Sequence, residues 1–378
     1  MILRGVWSAP ANLLVAGEYA VTRDDGRGVA VAVSPRGTAR LFESTDPDAS
    51  GIGVVSRMGS RDGTVWPGGS PSLVDYVVET VLSEEPDLHG APSLHEAPSL
   101  HEAPFSSRRK TRWSIEIDTT PFFDPVSGAK GGLGSSAVAT LLLVAALRRI
   151  SGTPGHDTTD ETTVRLAVKA HRAANRGRGS GYDILTSAEG GTTLFVGGDQ
   201  PRHEKLSLLQ GRIDEHIELY TWRRGTPVSS SAAVARFDRY APKGSDIEKE
   251  IVRRNNELIT GITTARTWNS LFRAVQASAR FGTELGIEIG VSGELPFVTC
   301  HSDDGWIAKA SGAGNERAVI FARDDRRRPL PVGAVPVTIE GTGLLWEGNG
   351  QTDGDGADGD GVDGDGANRN GGNREAPG

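Results

Sequence analysis

Residues 130–137 read Lys-Gly-Gly-Leu-Gly-Ser-Ser-Ala. Glycines at this density let backbone N–H groups approach an anion with no Cβ in the way. The apolar run that follows predicts a helix over 135–150. Its N-terminal end would add unpaired N–H groups and partial positive charge. Ser135 and Ser136 can cap that helix or place a hydroxyl on a metal ion or a phosphate. The Gly-Lys-Ser/Thr ending of a Walker loop is missing, so any phosphate binding here is of another type. A second segment, residues 170–183, sets Arg172, Arg176 and Arg178 around a Gly-Ser-Gly-Tyr-Asp turn that closes on Asp183. Arginines suit an anionic, phosphorylated ligand. A carboxylate beside them can orient or deprotonate a nucleophile. The same residues also describe a helix that ends at Gly177 with solvated arginines. Two weaker segments complete the set. Residues 9–21 form an apolar stretch interrupted at Asn12 and Glu18, and residues 309–315 (Lys-Ala-Ser-Gly-Ala-Gly-Asn) form a small-residue turn.

The elements that must position these residues are mixed. Strands are expected at 12–19, 29–33, 113–118 and 192–196, and helices at 72–83, 135–150 and 162–175. After Gln200 the pattern restarts with a strand at 217–222, helices at 232–240, 246–262 and 268–285, and strands at 307–309, 318–322 and 335–340. Strands interleaved with helices predict an α+β, two-layer α/β architecture. At 378 residues the chain suits two domains. The boundary is expected near 195–225, giving a first domain over 1–200 and a second over 201–345.

Two segments fall outside this pattern. Residues 90–105 repeat the unit Ala-Pro-Ser-Leu-His-Glu and read as a surface loop insertion. Residues 346–378 form an Asp/Gly-rich tail with the composition of a disordered segment. That tail holds eight acidic and two basic residues, net −6, out of a total of −8. The remainder is near neutral, so bulk charge gives no argument for a nucleic-acid partner. No apolar run is long enough to span a bilayer, and the first residues carry no signal-peptide pattern. The single cysteine, Cys300, allows no intrachain disulfide, which fits a reducing, cytoplasmic setting.

In this order the four segments resemble the signature regions of the GHMP kinase superfamily: Pro10-Ala11-Asn12-Leu13-Leu14 through Glu18-Tyr19, then 131–137, then Gly179-Ser180-Gly181-Tyr182-Asp183, then 309–314. The resemblance spans about residues 5–325. Within the superfamily the wording is most similar to the phosphomevalonate kinase branch. It implies the GHMP kinase fold, an N-terminal α/β domain with a ferredoxin-like C-terminal domain and the active site between them. It implies ATP and Mg²⁺ as cofactors and a small-molecule acceptor, phosphomevalonate, in a monomer or homodimer that binds neither nucleic acid nor membrane. Gly131, Gly132, Leu133, Gly134, Ser135, Ser136 and Ala137 would wrap the ATP phosphates, with Ser136 helping to place the metal. Asp183 and Lys130 would be catalytic. Asn12, Glu18, Tyr19, Arg172, Arg176, Ser180, Gly181, Ser311, Gly312, Ala313 and Gly314 would hold the substrate and support the phosphates.

The chain departs from that pattern twice. Many mevalonate-branch kinases carry a lysine at the position of Asn12, near the transferring phosphate. An asparagine supplies no charge, so another cation is expected to serve. Related kinases also continue Gly-Gly-Asp after the last motif, where this chain has Asn315-Glu316-Arg317. Arg317 would then either meet an anion or face solvent.

Overall fold

The computed structural model describes residues 1–58, 61–66, 72–84, 112–126, 128, 130–151, 160–206, 216–223, 230–291, 301–312 and 317–349. The strands form two sheets. In the first, β1 (Ile2–Ala16) and β2 (Arg27–Glu43) are antiparallel partners from Ile2↔Glu43 to Ala16↔Val29. The other edge of β2 pairs twice. Its first half takes β6 (Thr192–Val196) and its second half β5 (Trp113–Asp118). β3 (Ile52–Met58) lies parallel to β5 and carries β4 (Arg61–Trp66), while β7 (Arg202–Leu206) extends β6. β12 (Leu345–Gly348) returns from the far end of the chain to pair with β1, which completes eight strands. Arg36 fastens this return by donating to the carbonyls of Thr342 (2.9 Å) and Gly343 (2.7 Å).

The second sheet has four antiparallel strands in the order β11 (Ala334–Pro336), β8 (Ile217–Arg223), β10 (Arg317–Arg323), β9 (Trp306–Ser311). Counted along the chain this is the 4-1-3-2 order of a ferredoxin-like unit. The helices are distributed differently. α5 (Ser230–Tyr240), α6 (Asp246–Thr263) and α7 (Trp268–Glu288) all lie between β8 and β9, and residues 324–333, which join β10 to β11, carry none.

Helices α1 (Leu73–Glu84), α2 (Ser135–Ile150), α3 (Glu161–Ala174) and α4 (Tyr182–Glu189) belong to the first sheet. α2 is central. It packs on β1, β2 and β5 on one side and on α1, α3 and α4 on the others. That position explains an apolar run with no polar face. Arg148, near its end, is buried and pairs with Asp160 at 2.5 Å, and Asp160 in turn caps α3 by accepting from the Thr163 N–H at 2.7 Å.

The helices and most strands sit within a few residues of their sequence expectations, and the α+β reading holds. β1 and β2 are longer than expected, and the 335–340 strand shortens to Ala334–Pro336. β3, β4, β7, β12 and α4 had no counterpart in the reading. The repeat at 90–105, Cys300, Ala313, Gly314 and residues 350–378 lie outside the described residues. No helix among the described residues is long and apolar enough to cross a membrane.

Candidate active site

A cavity of about 510 Å³ opens between the two sheets. Its floor is the turn that leads into α2. Gly134, with φ at +76°, breaks the backbone into the left-handed region just before the helix starts. Such a turn leaves the first N–H groups of α2 without intrahelical acceptors. The loop ahead of it is held by its carbonyls. The Asn12 N–H donates to the Leu133 carbonyl at 3.1 Å, and Arg317 Nε donates to the Gly131 carbonyl. In a planar trans peptide the N–H points opposite to the C=O. Engaging those two carbonyls therefore turns the N–H groups of Gly132 and Gly134 the other way, and both glycines line the cavity.

Asn12 is the bracket of this loop. Its side chain is buried and donates to Ser187 Oγ on α4 at 3.0 Å. A Cβ added at Gly134 would lie 2.2 Å from Asn12 Nδ2. The asparagine thus occupies the space a side chain at 134 would take, and it joins β1, the loop and α4. We expect Gly134→Ala, which combines that clash with a positive φ, to weaken ATP binding at least about tenfold, or ~1.4 kcal/mol. Calorimetric titration with ATP measures this, and wild-type affinity would show that the loop does not carry the nucleotide.

The residues expected around the cofactor separate into two groups. Gly132, Gly134 and Ser136 line the cavity, as does Lys130, whose backbone pairs with Phe123. Gly131, Leu133, Ser135 and Ala137 shape the turn from behind: Gly131 and Leu133 through their bonded carbonyls, Ser135 and Ala137 as buried first-turn residues of α2.

Asp183 comes from the first turn of α4, two residues beyond Gly181, whose φ is +86°. Its Oδ1 accepts from the Ile184 N–H at 3.0 Å, and its Oδ2 lies 3.7 Å from His171 Nδ1. The other ring nitrogen of His171 is 3.3 Å from Ser136 Oγ. His171 on α3 thus stands between the serine of one motif and the aspartate of another. Ser136 and Asp183 offer hard oxygen donors suited to Mg²⁺.

Arg172 does different work from the ligand contact expected of it. Its guanidinium donates to the carbonyls of Gly179 (2.9 Å), Ser180 (2.9 Å), Gly198 (2.8 Å) and Asp199 (2.8 Å). Burial pulls its pKa below the usual arginine value. It builds the turn that presents Asp183 and is not among the cavity-lining residues. Arg176 takes a positive φ of 59° in the turn after α3 and does not line the cavity either. Arg178 does, 3.4 Å from Asp238. Ser180 lines it too, with its hydroxyl 3.4 Å from the Tyr182 N–H.

The opposite wall carries Glu18, Tyr19, Ser311 and Gly312. Glu18 accepts from Lys309 Nζ, and Ser311 Oγ donates to the Leu14 carbonyl at 2.7 Å. Tyr19 has a φ of 62°, and its ring lies 5.5 Å from that of Phe237 on α5. Burial, and then the Glu18 charge, push its phenol up to about 12. Ser230, Ser231 and Val234 at the start of α5, together with Asn175 and Tyr182, also line the cavity. The sequence reading assigned these no role. For α5 no local signal was available, because it reaches the cavity through the packing of Ala233 and Phe237 against Tyr19, α6 and α7.

Comparison with known proteins bears on the family and the fold. Residues 115–191 match the family model described as the GHMP kinases N terminal domain. That segment runs from β5 through the glycine loop, α2, α3 and α4. The chain is similar to a phosphomevalonate kinase of Streptomyces sp. (strain CL190), 26% identical over 333 residues, covering 81% of this chain and 86% of that protein. Its fold is similar to the Lin0012 protein of Listeria innocua (TM-score 0.63, 21% identity, 88% of this chain and 99% of that one). It is likewise similar to Streptococcus pneumoniae phosphomevalonate kinase in complex with phosphomevalonate and AMPPNP (TM-score 0.62, 14% identity, 84% and 92%). The superfamily resemblance read from the four motifs is borne out.

Proposed function

We propose that this GHMP-type chain transfers the γ-phosphoryl group of ATP to the phosphate of 5-phosphomevalonate, giving 5-diphosphomevalonate and ADP. The observation that carries the reading is the convergence of Gly132, Gly134 and Ser136 with Asp183 on one cavity that Lys130 and Arg178 also line. A bound Mg²⁺, for which Ser136 and Asp183 on either side of His171 are the candidate oxygen donors, would neutralise phosphate charge. The acceptor oxygen is an anionic phosphate oxygen, so it needs no base. A bond forms from it to γ-phosphorus as the bond from γ-phosphorus to the β–γ bridging oxygen breaks, and ADP leaves with that electron pair. The loop N–H groups would orient the ATP phosphates, Asp183 would set the reacting groups in line, and Lys130 and Arg178 would receive the acceptor's charge. Similarity to a curated phosphomevalonate kinase supports the choice of acceptor.

The test is ATP consumption by the purified protein with mevalonate and with 5-phosphomevalonate, side by side. We expect turnover with 5-phosphomevalonate and a diphosphorylated product by mass. Preference for mevalonate would move the chain to another kinase of the superfamily. ATP binding with no transfer to either acceptor would point to a nucleotide-binding relative.

A further inference from the structure

Arg317 stands where the sequence departs from the related kinases, and it is the residue by which the second sheet grips the glycine loop. It opens β10. Its Nε donates to the Gly131 carbonyl, 186 positions away, while its Nη1 donates to Thr221 Oγ1 on β8 at 2.9 Å. Thr221 is buried, so the guanidinium is anchored from below by the sheet it belongs to. A Cβ at Gly131 would lie 2.7 Å from the Phe122 carbonyl, which leaves no room for a side chain there, and 3.3 Å from Arg317 Nη2, which it would crowd. Gly131 also donates its own N–H to the Phe122 carbonyl at 2.9 Å. The peptide on each side of Gly131 is thereby fixed: one by the first sheet's side of the cleft, the other by Arg317.

The geometry points to Arg317 as a positioning residue for nucleotide binding. By holding the Gly131 carbonyl it sets the plane of the 131–132 peptide and thus the direction of the Gly132 N–H, which lies on the cavity wall. It makes that orientation depend on how the four-stranded sheet sits against the loop. Arg317 also lines the cavity, but its bonds to Gly131 and Thr221 make its geometry, and not its charge alone, what the loop uses. A lysine carries the charge but cannot donate in a planar fork to Gly131 and Thr221 together. This inference rests on reading residues 130–136 as the ATP phosphate loop.

The test is calorimetric binding of ATP to the full chain with wild type, Arg317→Lys, Arg317→Ala and Thr221→Val. It is read alongside the KM for ATP and the KM for the acceptor. We expect Kd for ATP to rise about tenfold or more in both Arg317 variants, with lysine giving no rescue. Thr221→Val, which keeps the shape and removes the anchoring hydroxyl, should shift Kd in the same direction by about threefold. The KM for ATP should follow Kd while the KM for the acceptor stays within about twofold. Wild-type affinity in Arg317→Lys, or equal loss of both KM values, overturns the assignment. Direct ATP binding needs no acceptor, so a chain that binds ATP and transfers to nothing would fail the functional reading and leave this one standing. A wild-type chain that does not bind ATP would sink both.

Discussion

Replacing Asp183 with asparagine should lower kcat by about 10²-fold or more while leaving the protein folded. The carboxylate sits in the first turn of α4, behind a glycine in the left-handed conformation, and lines the cavity with Gly132, Gly134 and Ser136. Asparagine keeps the shape and can still accept from the Ile184 N–H. It loses the negative charge that would hold a metal ion and align an anionic acceptor. Besides the His171 contact, the folded state loses a favourable charge at a helix N-terminus, ~0.3–1 kcal/mol. Activity and stability should therefore separate: thermal unfolding nearly unchanged, ATP affinity changed little, turnover nearly gone. Turnover within a few-fold of wild type would remove Asp183 from the mechanism. A matching fall in ATP affinity would instead make it part of the nucleotide site.

The parts of the site visible in the sequence are those built from neighbouring residues. The glycine loop, the start of α2 and the Gly-Ser-Gly turn before Asp183 follow from short-range backbone chemistry, and each lies where the spacing placed it. The length of β2 was hidden because Arg36, Thr38 and Arg40 interrupt Gly37, Ala39 and Leu41. These belong to opposite faces of one strand, and the buried face alternates in burial as a half-exposed strand does. α4 spans eight residues, too few for a helical period to show. Arg172 misled for a physical reason: a guanidinium beside a Gly-rich turn suits an anionic ligand and the carbonyls of that turn equally well. Its bonds to Gly198 and Asp199 come from a segment 26 and 27 positions away. Asn12 was read as the site of a missing charge. Packing shows it to be a hydrogen-bonding bracket with Gly134 against it, a role to which its neutral amide is suited. No local pattern could pair Arg317 with Gly131 or Lys309 with Glu18, because the partners lie 186 and 291 positions apart in sequence.

That last pair sets the second large effect. The Lys309 and Glu18 side chains retain only 2% and 8% of their exposure, and Lys309 Nζ also donates to the Ala310 carbonyl at 2.7 Å. The bond joins β9 to the turn that carries Tyr19, 291 positions away in sequence. Removing one member of a buried ion pair strands the other charge in a poor solvent, at a cost of roughly 3–5 kcal/mol. Lys309→Met should therefore lower the unfolding free energy by an amount in that range, read from the urea midpoint and slope by tryptophan fluorescence, with Trp306 reporting from β9 itself. Glu18→Gln with Lys309→Met removes both charges together, and the double variant should recover much of the loss. The coupling between the two changes then measures the stranded charge rather than the lost packing. The double variant should still bind ATP, since neither residue belongs to the glycine loop. Its KM for the acceptor should rise, because the Tyr19 wall is no longer tied to β9. A Lys309→Met protein within about 1 kcal/mol of wild type would mean that the carboxylate finds water or another donor, and the pair would then be no tie between the sheets.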